Sequence, residues 1–194
     1  KATGEMIDQY RELRPNGESE PTIILFSPIA HEDLGNRNLP DGSDNNPRLA
    51  LYTAALRQVA IEKNVTFVDL FAASQALYQA SDEPLTLNGI HLNDEGNRLI
   101  GQFIASTLLN TTISATSQLE PLRQLVLDKN WHWFNRYRAT DGNDVWGGRS
   151  TQKFVNEQTN REVLMHELIQ LDIMTANRDL RIWMNLEGRG EVGV

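Results

Sequence analysis

The chain has 194 residues, 40% of them apolar, a formal net charge of −8 and no cysteine. That length holds one domain of ordinary size plus an extension, and the apolar fraction supports a packed core. The lack of cysteine excludes disulfides and thiolate metal sites and leaves the redox compartment open. Residues 1–110 carry 8 Lys/Arg against 15 Asp/Glu, and residues 111–194 carry 10 against 11. An acidic chain with no basic cluster is a poor candidate for nucleic-acid binding. No apolar run approaches the ~18 residues of a membrane helix, and no signal peptide is visible.

In chain order, residues 2–14 read as a helix with Met6, Tyr10 and Leu13 on one face, stopped by Pro15-Asn16-Gly17. Thr22–Phe26 is a continuous apolar run, expected to be a strand buried on both faces as in a parallel sheet. The loop from Ile29 to about Asn46 is rich in Asp, Asn, Gly and Pro, and loops this long inside a compact domain are often functional. Residues 47–63 read as an amphipathic helix with Pro47 in its first turn and Leu49, Tyr52, Leu56 and Val59 facing the core. Val65–Leu70 is a second buried strand, and a short helix over about 71–79 follows. The order helix, strand, helix, strand, helix, helix implies parallel strands joined by crossover helices.

The stretch from Leu85 to Ile104 carries the chemistry. His91 stands two residues before a strong helix start at Asn93, whose side chain can accept a first-turn N–H. Asp94 and Glu95 place negative charge at the positive end of the helix dipole, and Leu99, Ile100, Phe103, Ile104 and Leu108 recur at helical spacing. A histidine on a short turn ahead of a rigid helix suits a general base, which must be positioned yet reachable.

The wording of this stretch, Gly89-Ile90-His91-Leu92-Asn93-Asp94-Glu95-Gly96-Asn97-Arg98, resembles the last block of the SGNH (GDSL-type) serine hydrolases, an Asp-x-x-His followed by a loop-to-helix step. The resemblance implies a flavodoxin-like three-layer α/β/α domain over residues 1–110, with His91 as the base that deprotonates a serine. The aspartate falls on Asn88, which can hold the imidazole but offers it no negative charge. No Gly-Asp-Ser block occurs; Asp41-Gly42-Ser43 has the letters in the wrong order, and Gly142-Asn143-Asp144 lies after His91. The resemblance therefore implies the C-terminal half of such a domain, with its serine and its other half preceding Lys1. Its substrate would be a small-molecule or carbohydrate ester, acetylated carbohydrate among them, with no cofactor and no metal.

Ligands of open α/β sheets sit at the carboxyl ends of the strands. The loop after Phe26 leaves from such an end, so His31, Glu32 and Asn36 are the candidate substrate-binding residues, expected near His91. His31-Glu32-Asp33 as a metal site is the weaker reading beside ordinary solvated charges. The alternative to an enzyme is a non-catalytic module of the same type, with a decayed triad at Asn88, that binds a glycan or a protein partner.

Thr111–Ser117 is a Ser/Thr-rich connector, so residues 111–118 read as a linker and 119–194 as a helical extension. Leu119–Arg138 reads as a helix bearing Trp131, Trp133, Phe134 and Tyr137, a cluster that suits packing more than sugar binding. Thr140–Ser150 reads as irregular, and Gln158 to about Glu187 as one long helix. His166-Glu167 opens like a zinc-protease helix, but Gln170 replaces the second histidine. The segments DKNWHWFNRYRATDG, GGRS and MTANRD look similar to an extension found behind SGNH domains in large multidomain proteins of planctomycete-type bacteria. That likeness implies a secreted or periplasmic context.

Overall fold

The structure is a computed structural model and describes residues 2–113, 119–138, 142–153 and 156–189. The elements run α1 (Ala2–Leu13), β1 (Ile24–Phe26), α2 (Asn45–Lys63), β2 (Thr66–Val68), α3 (Leu70–Ala80), α4 (Asp94–Leu109), α5 (Glu120–Tyr137), α6 (Gly142–Val145) and α7 (Asn160–Leu186). They form two compact units, Lys1–Ala115 and Thr116–Val194. Most of the anticipated linker, residues 114–118, lies outside the described residues, as do residues 139–141 of the region expected to be irregular.

The expected three-layer α/β/α domain is not what the chain forms. Among the described residues the sheet has two strands, β1 and β2, parallel and in register from Ile24↔Thr66 to Phe26↔Val68, and the rest is largely helical. The reason is local. Only two apolar runs are rich in β-formers, and each is trimmed: Thr22 and Ile23 stay unpaired, and Asp69 ends the second run by capping α3, its Oδ1 accepting the Ala72 N–H at 2.9 Å. Two short parallel strands joined by one crossover helix cannot present two buried faces. Val68 is fully buried, but Phe26 is 39% exposed and Thr66 is exposed, so the expectation of strands buried on both faces also fails.

α1 and α2 pack through other residues than the large apolar ones expected. In α1 the buried positions are Gly4 and Ile7, while Met6, Tyr10 and Leu13 are exposed. Gly4 sits close against α2, where a Cβ would come within 3.1 Å of Lys63 Cε, near the end of that flexible side chain. Arg11 then donates to the Lys63 carbonyl at 2.8 Å, tying α1 to the C-terminal end of α2. α2 faces inward with Thr53 and Ala60, and Tyr52 points outward. In α4 the anticipated cap is present: Asn93 Oδ1 accepts the Gly96 N–H at 2.8 Å.

In the second unit α5 and α7 lie antiparallel. Lys129 pairs with Asp179, Arg136 with Asp172 at 2.6 Å and Arg178 with Asp128 at 2.7 Å, later residues of one helix meeting earlier residues of the other. α7 begins at a capping box: Thr159 Oγ1 accepts the Glu162 N–H at 3.2 Å, and the Glu162 carboxylate accepts the Thr159 N–H at 2.8 Å. Asp128 sits at the centre, since the buried His132 also reaches its carbonyl through Nδ1 at 2.8 Å.

The hydrogen bond from the Lys129 ammonium holds the Asp179 carboxyl below its ordinary value of 3.8, with a smaller contribution from the Trp183 indole. A depressed folded-state value means that this interaction favours the folded hairpin fully above the unfolded value and is lost as the pH falls below it. Acid titration followed by circular dichroism should show the α5–α7 hairpin weakening below about pH 4, and Asp179→Asn should remove part of that acid dependence.

Candidate functional site

Two segments build the site: the loop from Ser27 to Asn46, and the hairpin from Leu85 to Asn93. The loop is stapled to α3. Ser27 Oγ accepts the Phe71 N–H at 2.8 Å, Ser74 Oγ accepts the Ala30 N–H at 2.8 Å, and the Tyr78 hydroxyl donates to the Ala30 carbonyl at 3.2 Å. Burial, and after it the nearby Glu32 carboxylate, push the Tyr78 hydroxyl up to about 12, so it stays a neutral donor.

His31 and Glu32 follow at once, and both are buried. Asn46 clasps the His31 backbone from both sides, accepting its N–H at 2.8 Å and donating to its carbonyl at 2.9 Å. The His31 ring is occupied at both nitrogens. Nε2 lies 3.1 Å from the Pro40 carbonyl and Nδ1 3.0 Å from Asn45 Nδ2, which assigns the proton to Nε2. His31 thus organises the loop and leaves no ring nitrogen for a substrate.

Glu32 is 7% exposed and joins the loop to the hairpin. Its carboxylate accepts the Leu85 N–H at 2.9 Å and the Thr86 hydroxyl at 2.6 Å, and its own N–H donates to the Gly89 carbonyl at 2.9 Å. Thr86 Oγ1 passes the network on by accepting the Gly89 N–H at 2.9 Å. Gly89 is held at φ 90°, where glycine is favoured, and a Cβ there would sit 2.5 Å from His31 Nε2. The loop and the hairpin therefore meet at Gly89, two residues before His91. Asn36 is exposed and remote from this junction in its bonding; its Oδ1 accepts the Asn38 N–H at 3.0 Å in a turn of its own. That turn lines a shallow depression of about 530 Å³ with Asp33, Arg37, Asp41, Asp44 and Asn45.

The hairpin closes with an antiparallel bridge between Thr86 and Leu92. The Leu87 N–H donates to the His91 carbonyl at 2.7 Å, and the Asn93 N–H to the Leu85 carbonyl at 3.0 Å. Asn88 stands at the tip. Its Oδ1 accepts the backbone N–H of Ile90 at 3.3 Å and of His91 at 3.1 Å, and lies 3.0 Å from His91 Nδ1. One amide oxygen thus shapes the turn and orients the ring. The network assigns the proton to Nδ1, leaving Nε2 with its lone pair outward on an exposed residue, where no bond from the described residues engages it.

Asp41-Gly42-Ser43 closes on itself, the Ser43 hydroxyl donating to Asp41 Oδ1 at 2.6 Å and holding that carboxyl below its ordinary value. His166 is exposed on α7. Among the described residues no group of three His, Cys, Asp or Glu side chains is placed to hold a metal ion, and no helix is long and apolar enough to cross a membrane. The sequence reading missed Thr86, Ser74, Asn46 and Tyr78. Their one signal was polarity beside apolar runs, which is common on surfaces and becomes informative only once burial is known.

No family model, curated protein or solved structure matches the chain.

The Asn88–His91 bond yields a direct expectation. The ring nitrogen signals followed by NMR should report the Nδ1–H tautomer, and Asn88→Ala should weaken that preference and broaden the signals. Asn88→Asp, which keeps an acceptor oxygen in place, should retain it. A tautomer preference indifferent to Asn88→Ala would show that Asn88 acts on the backbone alone.

Proposed function

We propose that this chain supplies the general-base part of an SGNH-type serine esterase site that cleaves a carboxylic ester, an acetyl group on a carbohydrate being the substrate class in view. The observation that carries the reading is the Asn88–His91 arrangement: Nδ1 held at 3.0 Å by a side chain that the backbone itself fixes, and Nε2 turned outward. His91 takes the proton of a serine hydroxyl as that oxygen attacks the acyl carbon. It then protonates the departing alcohol, and water releases the acyl group by the same steps in reverse roles. Asn88 positions the ring without neutralising the imidazolium. This reading takes its serine from sequence preceding Lys1; of the serines beside the loop, Ser43 is engaged with Asp41, Ser27 with the Phe71 N–H and Ser74 with the Ala30 N–H.

The second reading, a non-catalytic glycan- or protein-binding module, is favoured by the uncharged Asn88 in the orienting position and by the exposed Trp131 and Phe134 on α5. Kinetics separate the two. Alone, the 194-residue chain should hydrolyse p-nitrophenyl acetate no faster than its His91→Ala variant and should not be labelled by a fluorophosphonate. A polypeptide that also carries the preceding sequence should turn the ester over, and His91→Ala should lower its kcat by at least about 100-fold. Turnover indifferent to His91, or none in the longer chain, would remove the esterase reading.

A further inference from the structure

The tip of the Leu85–Asn93 hairpin carries an Asn-Gly pair, Asn88-Gly89, and the groups around it suit attack by the Gly89 nitrogen on the Asn88 side-chain amide. That attack closes a succinimide ring, and glycine leaves its own nitrogen unhindered because it has no Cβ. Three donors surround Asn88 Oδ1: the N–H of Ile90 at 3.3 Å, the N–H of His91 at 3.1 Å and His91 Nδ1 at 3.0 Å. Donors converging on a carbonyl oxygen stabilise the negative charge it gains when its carbon is attacked. On the side of the nucleophile, the Gly89 N–H donates to Thr86 Oγ1 at 2.9 Å, and the Thr86 hydroxyl donates in turn to the Glu32 carboxylate at 2.6 Å. A proton leaving Gly89 therefore has a path through a hydroxyl to a buried carboxylate, the arrangement that activates a weak nucleophile. Asn88 Nδ2 has no partner among the described residues, so nothing there restrains it as a leaving group.

We propose that Asn88 is a self-modification site, which the folded hairpin converts through a succinimide to aspartate. The Gly89 nitrogen bonds to Asn88 Cγ while its proton passes through Thr86 to Glu32, and Oδ1 carries the negative charge. The Cγ–Nδ2 bond then breaks, and the departing nitrogen takes a proton from water at the open tip and leaves as ammonia. The donors on Oδ1 polarise Cγ, so the hydroxide left behind adds there and not at the main-chain carbonyl. The bond from Cγ to the Gly89 nitrogen breaks, and that nitrogen recovers its proton from Glu32 through Thr86. The new carboxylic acid gives its proton to ammonia, so the sum is amide plus water to carboxylate plus ammonium. The consequence for catalysis rests on the esterase reading: the product supplies the negative charge that Asn88 does not offer His91, and the chain completes its own Asp-x-x-His pair. The modification itself needs only the hairpin.

Asn16-Gly17 is the comparison within the same chain. Asn16 Oδ1 accepts the N–H of Glu18 at 3.1 Å and of Ser19 at 2.9 Å, but the Gly17 N–H donates to the Arg14 carbonyl at 2.7 Å, which has no proton to pass on. That pair has neither the relay nor an imidazole donor. Freshly prepared intact chain is incubated at neutral pH, digested, and followed by mass spectrometry for replacement of amide by acid at each position. In the folded chain Asn88 should react at least about tenfold faster than Asn16, and in urea the two should react at similar rates, since sequence neighbours alone then decide. Thr86→Val should slow Asn88 to the Asn16 rate, and Thr86→Ser, which keeps the hydroxyl, should restore it. The product at position 88 of the folded chain should be aspartate. An Asn88 no faster than Asn16 in the folded chain, an Asn88 unchanged or faster in Thr86→Val, or isoaspartate as the sole product would overturn the inference. The readout is mass and not turnover, so it is decided separately from whether a longer chain cleaves esters.

Discussion

The interaction on which the first unit depends is the buried carboxylate of Glu32. Almost out of water, it is accommodated because the Leu85 amide and the Thr86 hydroxyl satisfy it, and both belong to a segment more than 50 residues away in sequence. The dependence runs both ways. Without Glu32 the Leu85 N–H and the Thr86 hydroxyl lose their partners, at a cost of about 1–3 kcal/mol for each buried group. The hairpin that presents His91 has a single bridge of its own, so its shape is set largely from outside. Its fixed points are Glu32 on one strand, Gly89 against His31 at the tip, and the Asn93 cap where it enters α4.

The site is consequently made of two different kinds of histidine. His31, with both nitrogens bonded and its ring buried against Gly89, is part of the scaffold. His91, held at Nδ1 and open at Nε2, is the one with chemistry to offer. Sequence alone could not make that distinction, because it turns on where Pro40, Asn45 and Asn88 direct their polar groups. It could and did single out the Leu85–Ile104 stretch, since an N-cap, first-turn acids and helical periodicity are local properties written in adjacent residues.

The same contrast governs the fold. α1 through α4, α5 and α7 were legible from periodicity and punctuation, and both strands from β-rich apolar runs. Facing was harder to read. Met6, Tyr10 and Tyr52 are large and apolar, yet the buried positions are Gly4 and Ile7 in α1 and Thr53 and Ala60 in α2, three of the four being small residues that hydrophobicity does not flag. The architecture was misjudged for a related reason: a resemblance concentrated at His91 was extended to a three-layer fold that two short strands cannot build. In the second unit the long helix was recognisable, but its two apolar stripes, one buried against α5 and one exposed, separate only when the partner helix is in place.

The central claim is that Glu32 holds the hairpin that presents His91. Amide hydrogen exchange resolved by residue tests it most directly, comparing the native chain with Glu32→Gln at neutral pH. The amide replaces an acceptor oxygen with a donor that faces the Leu85 N–H or the Thr86 hydroxyl. Exchange at Leu85 and Gly89 should accelerate at least tenfold, and the His91 ring signals should shift, while protection within α2 persists. Unchanged exchange at Leu85 and Gly89 would contradict the account and show that the hairpin is ordered without the buried carboxylate.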